Sequence, residues 1–190
     1  MIPSRPLAIA LLMLWPLQGF DDVCRTAVQS WRSPGGDAVM RVVSDRSRVL
    51  VFAGAALALV SPAGRAVLAE TLVALAPVNL AVEGLKYGVA RVRPDGDRNR
   101  RNSSFPSSHA ANAFTVAAVV ARRWRPSALV LWVGAASVGL SRMWLDRHWA
   151  SDVLMALALA LAGAWFADRV RARWLARRAN GGVAPPPTAA

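Results

Sequence analysis

Lysine is almost absent from this chain: of 23 basic residues, only Lys86 is not arginine. Positive charge here is ordinarily carried by arginine, so the lone lysine needs its own reason. Histidine occurs twice, as His109 and His148. Cysteine occurs once, as Cys24, which excludes an intrachain disulfide and leaves the redox compartment unread. Acidic residues number 11, and the net charge is +12. Such a balance suits nucleic acid, an anionic membrane surface or an anionic substrate. The arginines are scattered between apolar blocks and gathered near the C-terminus, without the aromatic-interleaved stripe of a nucleic-acid binder. No nucleic-acid partner is expected.

Apolar residues make up 55% of the 190. Soluble globular proteins use about 45–50%. Uncharged apolar blocks lie at Pro6–Phe20, Val49–Gly64, Thr71–Val82, Ala110–Ala121, Pro126–Ser141 and Val153–Ala167. Each is shorter than the ~20 residues of a membrane-spanning helix. Six in a row, with flanks that extend them, favour a bundle of short spans. Leucine, alanine and valine dominate without strand-like alternation, so the blocks read as helices. The expected fold is an all-α polytopic membrane bundle of about six transmembrane helices.

Residues 1–48 read as a first transmembrane helix and a polar interfacial segment. That segment contains a turn at Ser33-Pro34-Gly35-Gly36 and a short amphipathic helix from Asp37 to Val43. No small-x-small site precedes Asp21, so the first block reads as an uncleaved helix rather than a signal peptide. Residues 49–167 form a core of five helices. Residues 168–190 read as a basic, proline-rich, disordered tail. With six spans and both termini inside, raw counting of basic residues does not support an inner-side excess of positive charge. The loop Arg122-Arg123-Trp124-Arg125 and the tail arginines favour the inner side of the membrane.

Three clusters hold the lysine, both histidines and several arginines. In the first, Lys86 and Arg93 are seven apart, so on a helix they share a face, and Pro94 stops that helix. The second runs Ser104-Phe105-Pro106-Ser107-Ser108-His109 just before an apolar helix. Serines there cap the helix, whose free N–H groups bind anions. The third runs from Ser141-Arg142 to His148 and Asp152. On a helix His148 and Asp152 are neighbours, and a carboxylate bonded to one ring nitrogen leaves the other as a nucleophile. Asp146 and Arg147 fall off that face and are left outside the site. Arg98, Arg100 and Arg101 between the first two clusters read equally as a solvated loop or as an attractor for an anionic head group.

The order Lys-x6-Arg-Pro, Pro-Ser-x-His, Ser-Arg-x5-His-x3-Asp resembles the type 2 phosphatidic acid phosphatase superfamily, whose site vanadium haloperoxidases share. Any one block alone is a weak signal; three in order are specific. The resemblance implies that His148 attacks phosphorus, Asp152 orients it and His109 protonates the leaving alkoxide. It implies that Lys86, Arg93, Ser107, Arg142 and the backbone N–H of Ser108 hold the phosphoryl oxygens. No metal or other cofactor is implied. A phosphoryl transition state spreads charge over three oxygens, and positioned cations and N–H donors answer that need. The family usually has glycine where this chain has Ser108.

The function expected from this resemblance is hydrolysis of a lipid phosphate monoester or pyrophosphate through a phosphohistidine. The partners are then a phospholipid or polyprenyl (pyro)phosphate and the membrane lipids themselves, at a site facing the periplasm or exterior of a bacterial inner membrane. The rivals are a soluble-type acid phosphatase or haloperoxidase, a membrane protein that binds a lipid phosphate without cleaving it, and a phosphotransferase.

Overall fold

A computed structural model describes residues 5–98 and 103–181. It is all-helical among those residues: α1 (Arg5–Ser30), α2 (Pro34–Ala58), α3 (Pro62–Val89), α4 (Ser108–Arg123), α5 (Ala128–Trp144) and α6 (Ala150–Gly181), with a 3-10 turn at Arg125–Ser127. The expected all-α class holds. Among the described residues three segments are long and apolar enough to cross a membrane: Pro62–Val89, Arg125–Trp144 and Ala150–Ala179.

Two Ser-Pro pairs set the boundaries that apolarity alone misplaces. Ser33 and Ser61 are extended N-caps, each accepting a hydrogen bond from the N–H three residues on, with proline at the first helical position. The apolar block Val49–Gly64 is therefore broken at Ser61-Pro62. Its first part completes α2, which also absorbs the expected short helix Asp37–Val43 and runs through the boundary drawn at residues 48/49.

The other end of the chain also needs correction. α6 continues to Gly181, so Arg169, Arg171, Arg173, Arg177 and Arg178 are helical rather than part of an unstructured tail. The residues from 168 to 181 include no proline and are dominated by good helix formers, so nothing local ends the helix. At ~1.5 Å per residue, α6 is longer than a ~30 Å hydrocarbon layer requires. Residues 182–190, Arg100 and Arg101 lie outside the described residues.

The core is built from small residues. Val78, Val82, Ala110, Ala111, Phe114, Ala117, Ala135, Ala156 and Ala160 form one buried cluster. Ala74, Ala118, Val119, Ala164 and Ala167 form a second. Small side chains let helices approach closely, which matters where lipid removes the usual hydrophobic drive between helices. At Gly163 an added Cβ would meet Val78 Cγ2 at 2.3 Å and the Ala74 carbonyl oxygen at 3.0 Å. Large apolar side chains point outward instead, with Leu80, Leu129 and Val130 all about three-quarters exposed. Helix α4 packs against α3, α5 and α6 and brings its N-terminus to one end of the bundle.

Candidate active site

At that end lies a cavity of about 870 Å³. Lys86 in the last turn of α3, Arg93 in the following loop, Ser108 and His109 in the first turn of α4, Arg142 near the end of α5 and His148 all line it. Six of the eight residues singled out in the sequence thus converge. The other two, Ser107 and Asp152, lie fully buried behind the wall. Ser107 is the N-cap of α4: its Oγ accepts from the Ala110 N–H at 3.4 Å and its N–H donates to the Asp152 carbonyl at 3.3 Å.

Local structure differs from the helical spacings expected. Lys86 and Arg93 do not share a helix, because Ala90 turns left-handed at φ 48° and ends α3. The next N–H, that of Arg91, donates to Ser103 Oγ at 2.9 Å, so a side chain replaces the helical carbonyl. His148 and Asp152 do not share a helix either. His148 precedes α6, in a turn where Asp146 is left-handed and the His148 N–H donates to the Arg142 carbonyl at 3.1 Å. Aspartate is among the residues that tolerate this conformation. The same turn swings Arg147 into the cavity wall, which spacing along a helix excluded.

The orientation of His148 also has a different cause from the one expected. Its Nδ1 lies 2.7 Å from the Ser104 carbonyl oxygen and 3.6 Å from Asp152 Oδ2. A carbonyl only accepts, so Nδ1 carries the proton and Nε2 keeps the lone pair. Asp152 acts one step back. Its Oδ2 accepts from the Trp149 N–H at 2.8 Å and from the Ser104 hydroxyl. This is half a capping box for α6: the third residue of the helix reaches back to the N-cap N–H. Asp152 thereby holds both Ser104 and the chain next to His148. Burial pulls the pKa of His148 below its ordinary value; the Asp152 carboxylate opposes this in part, and the Arg142 and Arg93 cations add to it.

Residues that the sequence did not mark complete the wall. Arg41, Ser44 and Asp45 come from α2, and Arg32 from the turn before it. Ser44 Oγ accepts from Arg142 Nη1 at 2.5 Å and so steadies a cation at the cavity. Nothing in the spacing of α2 signals this, since its polar residues lie far along the chain from the three clusters. The signal available for Arg147 was adjacency to His148.

A cavity bordered by two histidines, a lysine and several arginines has the charge and the donors to hold a tetrahedral anion beside an imidazole. The profile of the PAP2 superfamily matches residues 67–175, which take in every one of those clusters. The chain belongs to the PAP2 superfamily. A lipid A 1-phosphatase of Porphyromonas gingivalis is 33% identical over 93 residues, covering 45% of this chain and 20% of that protein. The chain thus spans about a fifth of the length of this curated relative. The crystal structure of Aquifex aeolicus LpxE superposes with a TM-score of 0.69 at 18% identity, over 77% of this chain and 93% of the other. The transmembrane PAP2-type phosphatidylglycerolphosphate phosphatase of Bacillus subtilis gives 0.66 at 23% identity, over 88% and 92%. At these identities the two structures establish the PAP2 fold for this chain.

Proposed function

We propose that this PAP2 protein is a metal-independent membrane lipid phosphatase that cleaves a phosphate monoester or pyrophosphate through a phosphohistidine. The observation that carries the reading is the shared cavity of His148, His109, Lys86, Arg93 and Arg142, with the proton of His148 held on Nδ1 by the Ser104 carbonyl. In the first step the Nε2 lone pair of His148 forms a bond to phosphorus while the phosphorus–oxygen ester bond breaks. Protonated His109 gives its proton to the leaving oxygen. In the second step neutral His109 takes a proton from water, which attacks phosphorus and breaks the phosphorus–nitrogen bond. Free phosphate leaves and both histidines return to their starting states. Lys86, Arg93, Arg142 and the N–H groups at the start of α4 stabilise the charge on the equatorial oxygens. Ser107 acts through its cap, by holding the first turn of α4 in place.

A lipid is the substrate this reading favours because outward apolar side chains surround the bundle and the relatives include a lipid A 1-phosphatase and a phosphatidylglycerolphosphate phosphatase. We read α1, α2 and α4 as completing a membrane bundle of about six helices around the three long apolar ones. The basic stretch of α6 and the Arg122–Arg125 loop belong to the opposite end and suit the inner side, so the cavity faces the periplasm or exterior.

The test is phosphate release by detergent-purified protein in EDTA. The panel is phosphatidate, phosphatidylglycerophosphate, a polyprenyl pyrophosphate and lipid A, and wild type is compared with His148→Ala. The expected outcome is release by wild type, abolished in the variant, with an acid-labile phosphoprotein trapped on wild type by rapid quench. Wild-type activity that EDTA abolishes, or that survives in His148→Ala, overturns the mechanism.

A further inference from the structure

The carboxylate of Asp21 is fully buried although it sits on α1, far before the residues that match the PAP2 profile. Its partners explain why. Asp21 Oδ2 accepts from Arg91 Nη2 at 2.6 Å and from Ser151 Oγ at 2.6 Å, and Oδ1 accepts from the Ser151 N–H at 2.8 Å. The other arm of the same guanidinium, Arg91 Nη1, donates to Asp152 Oδ1 at 2.7 Å and to Ser151 Oγ at 2.7 Å. The Arg91 guanidinium also lies 5.3 Å from the Trp149 ring centroid, a stacking contact on the residue after His148. One guanidinium therefore bridges two buried carboxylates, and one of them is the group that holds Ser104 and the turn of His148.

We propose that Asp21 and Arg91 are positioning residues for His148, so that α1 is a working part of the active site rather than an added membrane anchor. Asp21 fixes the second arm of Arg91 and balances its charge. Arg91 then holds Asp152 in place without drawing off all of its negative charge. The Asp152 carboxylate remains available to fix Ser104 and to stabilise the imidazolium-like ring that forms when Nε2 is phosphorylated. A planar five-donor fork suits this bridging, and lysine cannot reproduce it. Outer partners that orient metal-bound ligands change affinity or activity about 10–100-fold when removed, and a loss on that scale is expected for groups that orient a nucleophile.

The chain has only two histidines, which gives a readout independent of turnover. Full-length protein labelled with 15N-histidine in detergent yields two ring systems, and His109→Asn assigns them. The charged and titratable groups around His148 are Lys86 from α3, Arg93 from the loop, His109 from α4, Arg142 from α5, Arg147 from the turn and Asp152 from α6. Arg41 and Asp45 border the same cavity from α2. None of these changes in Asp21→Asn, which withdraws one negative charge and leaves Arg91 charged. The expected result is a titration midpoint for His148 at lower pH than in wild type. With dioctanoyl phosphatidate in mixed micelles, kcat falls about 10–100-fold while KM stays within about twofold.

A folded Asp21→Asn protein with unchanged His148 titration and unchanged kcat overturns the proposal. If that variant does not fold, Ser151→Ala removes the hydroxyl shared by Asp21 and Arg91 without altering charge. It should lower kcat about fivefold at constant KM and displace the His148 Nδ1 resonance. No change in either rejects the inference. The activity arm rests on the phosphatase reading. Inactive wild type would sink that reading, while the histidine resonances would still decide whether Asp21 and Arg91 act on His148.

Discussion

At one end of the bundle Lys86, Arg93 and Arg142 border an open cavity; at the other, Arg123 is clamped between Glu70 and Asp168. The same three helices supply both ends. Glu70 and Lys86 lie on α3, His109 and Arg123 on α4, and Asp152 and Asp168 on α6, roughly 20–24 Å apart along each axis at ~1.5 Å per residue. At the far end Arg123 Nε donates to Glu70 Oε2 at 2.8 Å, its Nη2 reaches Glu70 Oε1 and Asp168 Oδ1, and Arg122 pairs with Asp168 at 2.6 Å. These cations are matched by carboxylates and tie α3, α4 and α6 together. At the cavity end basic residues outnumber acidic ones: among the described residues, Asp45 is the only carboxylate on a wall that carries six lysine and arginine side chains. The cavity cations also have carboxylate partners behind the wall, among them Glu83 for Lys86 at 3.7 Å, Asp37 for Arg32 at 2.9 Å and Asp95 for Arg147 at 3.0 Å; what sets them apart from Arg123 is that they line a space a ligand can enter.

Exchanging the two behaviours by mutation should separate them. Arg142→Ala removes a cation from the cavity and is expected to lower kcat about 10²–10³-fold, the usual cost of losing one donor to a developing oxyanion. Its melting temperature should move little, because its guanidinium lines the cavity and its bond to Ser44 is to a neutral hydroxyl. Phosphate release and detergent melting measured on one preparation check both halves.

Glu70→Ala should show the reverse. It leaves Arg123 facing Asp168 alone and removes a carboxylate that is only 8% exposed. Breaking one side of a buried pair costs about 3 kcal/mol, which should appear as a clear loss of melting temperature. Turnover per folded molecule should be unchanged. A large fall in kcat for folded Glu70→Ala would mean that the two ends are coupled and would break the comparison.

The buried imidazole gives a pH test confined to the cavity end. The pKa of His148 lies below its ordinary value of 6.5 because burial disfavours the imidazolium. The folded protein therefore binds this proton less readily than the unfolded chain does. Between the two values stability rises with pH; the contribution is complete above the unfolded value and is lost as pH falls through the folded one. Activity follows the same sign. The acid limb of kcat/KM, which reports the free protein, should lie below pH 6.5. An acid limb at or above the ordinary value would show a nucleophile more exposed than the one in this cavity.

Much of this site was legible in the sequence, because few residues could carry the chemistry. One lysine and two histidines, in three clusters, mark the cavity almost uniquely. What misled was the assumption that spacing means helix. Lys86 with Arg93, and His148 with Asp152, come together through turns at Ala90 and Asp146 that no periodicity announces. Those turns exchange the expected bond from Asp152 to His148 for one from the Ser104 carbonyl, and backbone acceptors leave no trace in composition. The α2 wall and Asp21 were invisible for another reason. They reach the site by tertiary packing alone, and a single buried aspartate in an apolar helix has no pattern around it.

The smallest effect is expected at Ser108, and it tests whether the departure from the family's glycine matters. Ser108 is the first residue of α4 and borders the cavity, and its buried Oγ has no hydrogen-bond partner among the described residues. A buried hydroxyl left so is unfavourable. A phosphoryl oxygen held at the start of α4 would satisfy it. Such a bond forms equally with bound substrate and transition state, so its loss should appear in KM and not in kcat. Ser108→Gly is therefore expected to raise KM about threefold to tenfold, with kcat within about twofold of wild type. A fall in KM would instead mean that the hydroxyl crowds the anion, and that the bare glycine backbone lets phosphate approach the helix N-terminus more closely.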